Sequence, residues 1–195
     1  MGPKRICMKS ITKIVVVWIL IILILGGCAI QQPLKTPVSE KETAETCLNR
    51  AIAYSQEGEY SKALSDYNKA IAIDPNLTVA YLNRGVTYRQ LGEYDKAISD
   101  YSKAIELFPR YALAYNNRGY AYGKKGEVAK AIFDYSKAIE IDPKYAAAYY
   151  NRGLTYYHKG ENDRAWEDIN KAQSLGYPVS PGFLKTLRET SSEQK

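Results

Sequence analysis

Apolar and aromatic positions recur at helical spacing in blocks that return every 34 residues along the chain. In the best-formed block, Tyr81, Gly85 and Tyr88 fall on one stripe between Thr78 and Leu91, the spacing of one face of an α-helix. Gly92 follows, a residue that tolerates positive φ and so ends helices. A second stripe starts near Asp95 with Ala97, Ile98, Tyr101, Ala104 and Ile105, and Pro109 stops it. The pattern predicts an antiparallel helix pair. Small Gly85 and Ala97 permit close approach, and Tyr88, Tyr94 and Tyr101 fill the space around them.

The other blocks keep the same skeleton. Asn-Arg stands at Asn49-Arg50, Asn83-Arg84, Asn117-Arg118 and Asn151-Arg152, followed by a small residue (Ala51, Gly85, Gly119, Gly153) and a tyrosine (Tyr54, Tyr88, Tyr122, Tyr156). Gly58, Gly92, Gly126 and Gly160 close the first half, and Ala63, Ala97, Ala131 and Ala165 open the second. Self-similarity at such a period predicts a stack of supersecondary units rather than a globule around one central pocket. The eighteen tyrosines are then mainly packing residues. These residues resemble the tetratricopeptide repeat, most fully in the second copy. The third departs from it at Val128, after its Gly-Glu. The first has Cys47 and Ala51 for the leading aromatic and the Gly, and the fourth has Asn162 and Ile169 for aromatics and a late Pro178. The resemblance spans residues 44–178 in four repeats, 44–77, 78–111, 112–145 and 146–178. It implies an all-α solenoid, stacked as a right-handed superhelix. Residues 179–195 read as a capping helix with Ser180 as N-cap, Pro181 in the first turn and Phe183, Leu184 and Leu187 as its apolar stripe. A polar frayed end is expected from Ser191 onward.

The N-terminus carries a different pattern. Lys4, Arg5, Lys9 and Lys13 precede an uninterrupted apolar run, Ile14 to Leu25, which ends in Leu25-Gly26-Gly27-Cys28. The run is short for a membrane span, which needs about 20 residues, and suits a secretory signal. It is similar to a bacterial lipoprotein signal. That resemblance implies cleavage after Gly27, so that residues 1–27 leave, and a covalent lipid on Cys28. With more than one acyl chain the lipid anchors durably. Residues 28–43 then form the lipidated N-terminus and a flexible tether, polar and proline-bearing, with a reach on the order of 50 Å when extended at about 3.3 Å per residue. Ala29 is not the Asp that favours inner-membrane retention in Gram-negative lipoproteins, so the resemblance implies an outer-membrane, periplasm-facing location at the cell envelope.

This signal changes how charge and cysteine are read. The chain has 27 basic and 21 acidic residues; residues 1–27 hold four of the basic and none of the acidic, leaving +2 for the rest. With Lys alternating with Asp and Glu along the repeats, there is no concentrated basic patch, and nucleic-acid binding is not expected. Cys47 is the one cysteine left free, a small core residue. His158 is the only histidine and has no nucleophile and acid at a readable spacing around it. Neither a metal cluster nor a phosphate loop is present in the sequence. No enzyme activity, metal or cofactor is expected beyond the lipid on Cys28.

What remains is a recognition surface. The family resemblance implies that first helices line a concave groove and that the recurrent amides, Asn49, Asn83, Asn117 and Asn151, bond an extended peptide backbone. An amide both donates and accepts, and packing between neighbouring helices is the alternative role. Variable first-helix positions would set specificity: Val86, Arg89, Asn116, Tyr120, Lys124, Tyr150, Leu154, Tyr157 and His158. Tyr120, Tyr150 and Tyr157 exceed what the repeat needs, and with neighbouring cations they suit a peptide bearing apolar and acidic elements. Chaperone-tail binding through a carboxylate clamp is not expected, because Asn49 is flanked by Leu48 and Ile52 rather than Lys. The recurrent Arg is expected to pair with Asp66, Asp100, Asp134 and Asp168 in a ladder that orders the stack. The functional expectation is a lipid-anchored adaptor or scaffold that holds a protein or peptide partner at the envelope. A self-associating homo-oligomer without an external peptide is the alternative.

Overall fold

Helix starts follow the 34-residue period without drift. The computed structural model describes residues 42–191. The expected signal peptide, Cys28, the tether up to residue 41 and residues 192–195 lie outside the described residues. Four helix pairs succeed one another: α1 (Ala44–Gln56) with α2 (Tyr60–Ile73), α3 (Thr78–Gln90) with α4 (Tyr94–Leu107), α5 (Ala112–Lys124) with α6 (Val128–Ile141), and α7 (Ala146–Lys159) with α8 (Asn162–Ser174). A ninth helix, α9 (Pro181–Thr190), follows them. Among the described residues there is no strand, and no helix is long and apolar enough to cross a membrane.

The turn inside each pair explains the Tyr and Gly-Glu signals together. Gly58, Gly92, Gly126 and Gly160 adopt φ of 76 to 82°, the left-handed conformation that glycine reaches without a Cβ penalty. The next N–H then folds back onto the last turn. Glu93 donates to Tyr88 O at 2.9 Å, Glu127 to Tyr122 O at 2.9 Å and Glu161 to Tyr156 O at 3.0 Å, satisfying carbonyls the helix end would leave open. Between pairs, Asp74 and Asp142 each accept a backbone N–H two residues on, an Asx turn that helps restart the chain.

Inside each pair the helices are as close as their side chains allow. A Cβ added at Gly119 would sit 2.9 Å from Tyr135 Cε1 and 3.2 Å from Ala131 O, and one at Gly85 would sit 2.7 Å from Tyr101 Cε1. Gly119→Ala is therefore expected to destabilise by about 1–3 kcal/mol through overpacking against ring and backbone, as read from denaturant melts. An unchanged midpoint would show that Tyr135 moves aside freely. The first repeat holds Ala51 at this position, fully buried, so that pair accommodates the methyl.

Burial makes the core tyrosines pH-sensitive. Tyr101 is fully buried and burial pushes its phenol up to about 12; burial raises Tyr67 and Tyr135 as well. A raised acid favours its neutral form in the folded state. The stabilisation is present below the ordinary phenol value of 10.0 and is lost as pH climbs towards about 12, about 3 kcal/mol for Tyr101. An alkaline titration should show exposed tyrosinate forming first with helicity intact. The buried phenols should follow together with cooperative loss of helix above about pH 11. Ionisation of all the tyrosines in one step, with helicity unchanged, would contradict this.

First helices of neighbouring repeats touch one another, and each second helix packs on the first helix of the next repeat, whereas neighbouring second helices have no comparable contact. The stack therefore closes towards the first helices and opens on the other side. At the end, α9 packs on α8. Ser180 caps it, accepting from Phe183 N at 3.3 Å, and Leu187 is fully buried beside Ile169 and Ala165. Two boundaries differ from the sequence expectation. Glu42 and Thr43, assigned there to the tether, belong to the folded unit. Thr43 forms a capping box with Thr46, and Glu42 pairs with Arg50. Ser191, expected in a frayed tail, is buried, with its N–H donated to Leu187 O and its hydroxyl to Arg188 O.

Candidate functional site

The Asn-Arg signature divides into two sets of contacts. Each Arg grips the Asp sixteen residues on with two parallel bonds. Arg84 Nε and Nη2 donate to Asp100 at 2.8 and 2.6 Å, Arg118 to Asp134 at 2.8 and 2.9 Å, and Arg152 to Asp168 at 2.7 and 2.8 Å. Arg50 does the same with Asp66, and its guanidinium holds the Asp66 carboxyl below the ordinary range. The third nitrogen reaches back to the preceding repeat: Arg84 to Asn68, Arg118 to Ser102, Arg152 to Ser136. The expected ladder between stacked helices is thus a fork within each repeat with one further rung between repeats. Tyrosines flank the guanidinium, with Tyr115 and Tyr122 at 5.5 and 5.9 Å from Arg118 Cζ, a cation–π setting.

The asparagines behave individually. Asn151 donates to Asn116 Oδ1 at 2.9 Å and so ties α7 to α5. Asn116 is itself buried. Asn49 is exposed, Asn83 and Asn117 are half-buried, and none of these three amides makes a side-chain hydrogen bond among the described residues.

Of the groove residues expected from sequence, the structure brings Tyr120, Lys124, Leu154 and His158 together with the amide residue Asn151 around one cavity of about 390 Å3 between the third and fourth repeats. Gly123, Val128, Tyr135, Thr155 and Lys159 complete it. Arg89 reaches the same region: its Cζ lies 5.3 Å from the Tyr120 ring, and Lys124 Nζ lies 5.4 Å from it on the same residue. Neither cation forms an ion pair among the described residues, whereas Lys125 is held by Asp95 and Glu127 and Lys159 by Glu161. Two further candidates, Tyr150 and Tyr157, pack on aromatic side chains later in the chain. Tyr150 stacks on Tyr177 at 4.3 Å, and Tyr157 meets Phe183 of α9 edge-on at 5.4 Å. Among the described residues no group of three or more His, Cys, Asp or Glu is placed to hold a metal. Cys47 is fully buried, and burial pushes its thiol up, which keeps it unreactive.

Comparison with known proteins agrees with this architecture. Sequence models described as tetratricopeptide repeat match residues 44–77, 66–99 and 146–175, and one described as TPR repeat matches residues 85–126 and 124–160. No curated protein sequence matches the chain. Among solved structures, a crystal structure of MamA is 33% identical with a TM-score of 0.65, covering 68% of this chain and 77% of that one. A crystal structure of MamA protein is 29% identical with a TM-score of 0.66, covering 75% and 81%. The first TPR of Spaghetti (RPAP3), bound to the HSP90 peptide SRMEEVD, is 27% identical with a TM-score of 0.58, covering 60% of this chain and 92% of that one.

Proposed function

The chain belongs to the tetratricopeptide repeat family, and we propose that it is a lipid-anchored scaffold that holds a protein partner along its first-helix groove at a bacterial envelope. The observation that carries the reading is Tyr120, half-buried beside two cations, Arg89 and Lys124, that no carboxylate neutralises. An aromatic anchor beside unpaired positive charge is an arrangement that gains from a partner and gives little to the fold. Similarity to a tetratricopeptide structure bound to a peptide supports a peptide or protein as the occupant. The signal ending at Cys28 supports the envelope as the location, with Ala29 favouring the outer membrane where there is one.

Two measurements test the two halves. Cys28→Ala should release the protein from the membrane fraction, while retention would remove the lipid anchor from the proposal. A photoreactive residue at Tyr120, activated in intact membranes, should form a crosslink to a distinct envelope protein identified by mass spectrometry. Self-dimers alone would favour the self-associating alternative instead.

A further inference from the structure

The cavity beside Tyr120 lies where the third repeat carries smaller residues at two positions. At the position of Ser55 and Arg89 it has Gly123, and at that of Tyr60 and Tyr94 it has Val128. The core tyrosines at the next register show what this changes. Tyr67 is fully buried, and the Ser55 and Thr87 hydroxyls, 3.2 Å from each other, lie close enough to act on its phenol. Tyr101 is also fully buried, and Arg89 lies close enough for its charge to act on the phenol, though neither Tyr101 Oη nor Arg89 Nε finds a hydrogen-bond partner. Tyr135 has Gly123 instead, and a Cβ built on Gly123 would lie 4.0 Å from Tyr135 Oη with nothing nearer than 3.9 Å. Tyr135 is 3% exposed, lines the cavity, and makes no hydrogen bond among the described residues.

Gly123 is the penultimate residue of α5, and with no side chain there the space beside Tyr135 Oη stays open. The space is lined by Val128, Leu154 and the Tyr120 ring on its apolar side and by the unpartnered Tyr135 residue and Lys124, with Arg89 5.3 Å from the same Tyr120 ring. At about 390 Å3 it lies at the small end of ligand cavities, about 300–1,000 Å3. That size suits one large side chain better than a whole ligand. An apolar body with a polar tip is the chemistry of tyrosine, and the two unpaired cations call for carboxylates on either side of it.

We propose that this cavity takes the tyrosine side chain of an extended acidic segment of the partner, its hydroxyl bonded to Tyr135 Oη and its flanking carboxylates facing Lys124 and Arg89. The assignment rests on the groove reading above. The probe is a set of fluorescent peptides of alternating Glu and Asp with a central Tyr, Phe or Ala, measured by polarisation against the folded repeat protein. The Tyr peptide should bind, the Phe peptide about 3–10-fold more weakly, as one neutral hydrogen bond predicts, and the Ala peptide not measurably. Tyr135→Phe, which conserves volume, should equalise the Tyr and Phe peptides with unchanged helicity. Gly123→Leu should fill the cavity and abolish binding of both while the melting temperature holds or rises. Lys124→Glu should weaken every acidic peptide. Equal binding of Tyr and Phe peptides by the unaltered protein, or a preference that survives Tyr135→Phe, overturns the assignment. If the crosslink from Tyr120 still captures an envelope protein in that case, the groove reading stands and only the tyrosine pocket falls. If the crosslink yields self-dimers alone, the groove reading falls with it.

Discussion

Replacing Arg118 with Ala is expected to lower the stability of the stack by about 3 kcal/mol or more, because it strands Asp134. The Asp134 side chain is 1% exposed and receives both bonds of the Arg118 fork. Removing one partner of such a pair leaves a buried charge without compensation, a change that typically costs about 3–5 kcal/mol. The Arg118 side chain is 16% exposed, so water can reach part of the gap and the lower end of that range applies. The same change also removes the rung to Ser102, and with it one link between the second and third repeats. In an array whose stability comes from units and their neighbour interfaces, loss of a central rung should broaden the melt as well as lower it. Arg118→Lys keeps the charge but not the planar fork, and should fall between. Arg50→Ala is the internal control: that side chain is 43% exposed, and Asp66 would keep Lys69 at 3.1 Å as a partner, so the loss should be smaller. Because Arg118 does not line the Tyr120 cavity, partner affinity should change less than melting temperature. The reverse order would assign Arg118 to the partner instead of the stack.

This division between stack and groove was partly legible in the sequence. A strict period of small and aromatic residues follows when every repeat solves the same packing problem, so helix pairs and turns could be placed from Gly85, Gly92, Ala97 and Pro109, and the C-terminal helix from Ser180, Pro181 and its apolar stripe. The Arg–Asp fork was legible for the same reason, since both members recur in phase. The groove was harder, because function there lies in departures from the period. Tyr120 and Lys124 stand out as side chains the repeat does not require. Gly123 and Tyr135 do not: one is a small residue among small residues, and the other is an ordinary core tyrosine. Their significance appears only when Gly123 is compared with Ser55 and Arg89 across the stack, and Val128 with Tyr94. Tyr150 and Tyr157 are a different case. They exceed the repeat pattern and meet Tyr177 at the end of the fourth repeat and Phe183 of α9, partners that the other repeats have no counterpart for.

Those contacts make truncation before α9 the second large effect. A chain ending at Val179 keeps the Tyr150–Tyr177 stack but loses Phe183, Leu184 and Leu187. Leu187 is fully buried, and a side chain of that kind contributes about 1.5–3 kcal/mol by burial. Its loss also opens Ile169 and Ala165, both fully buried in the complete chain. Ile169 occupies the position of the core tyrosines Tyr67, Tyr101 and Tyr135 and lacks a ring to shield the α7–α8 interface by itself. Terminal repeats of a solenoid need a polar outer cover, and without α9 the fourth repeat presents a bare apolar face. The truncated protein should lose at least about 3 kcal/mol and self-associate. In hydrogen exchange, α8 and then α7 should open while α1 to α4 stay protected. Since α7 supplies Asn151, Leu154 and Thr155 to the cavity, peptide binding there should be lost even though Tyr120, Lys124 and Tyr135 remain in place. If α7 and α8 kept full protection in the truncated chain, α9 would be no cap, and the cavity would stand on the four repeats alone.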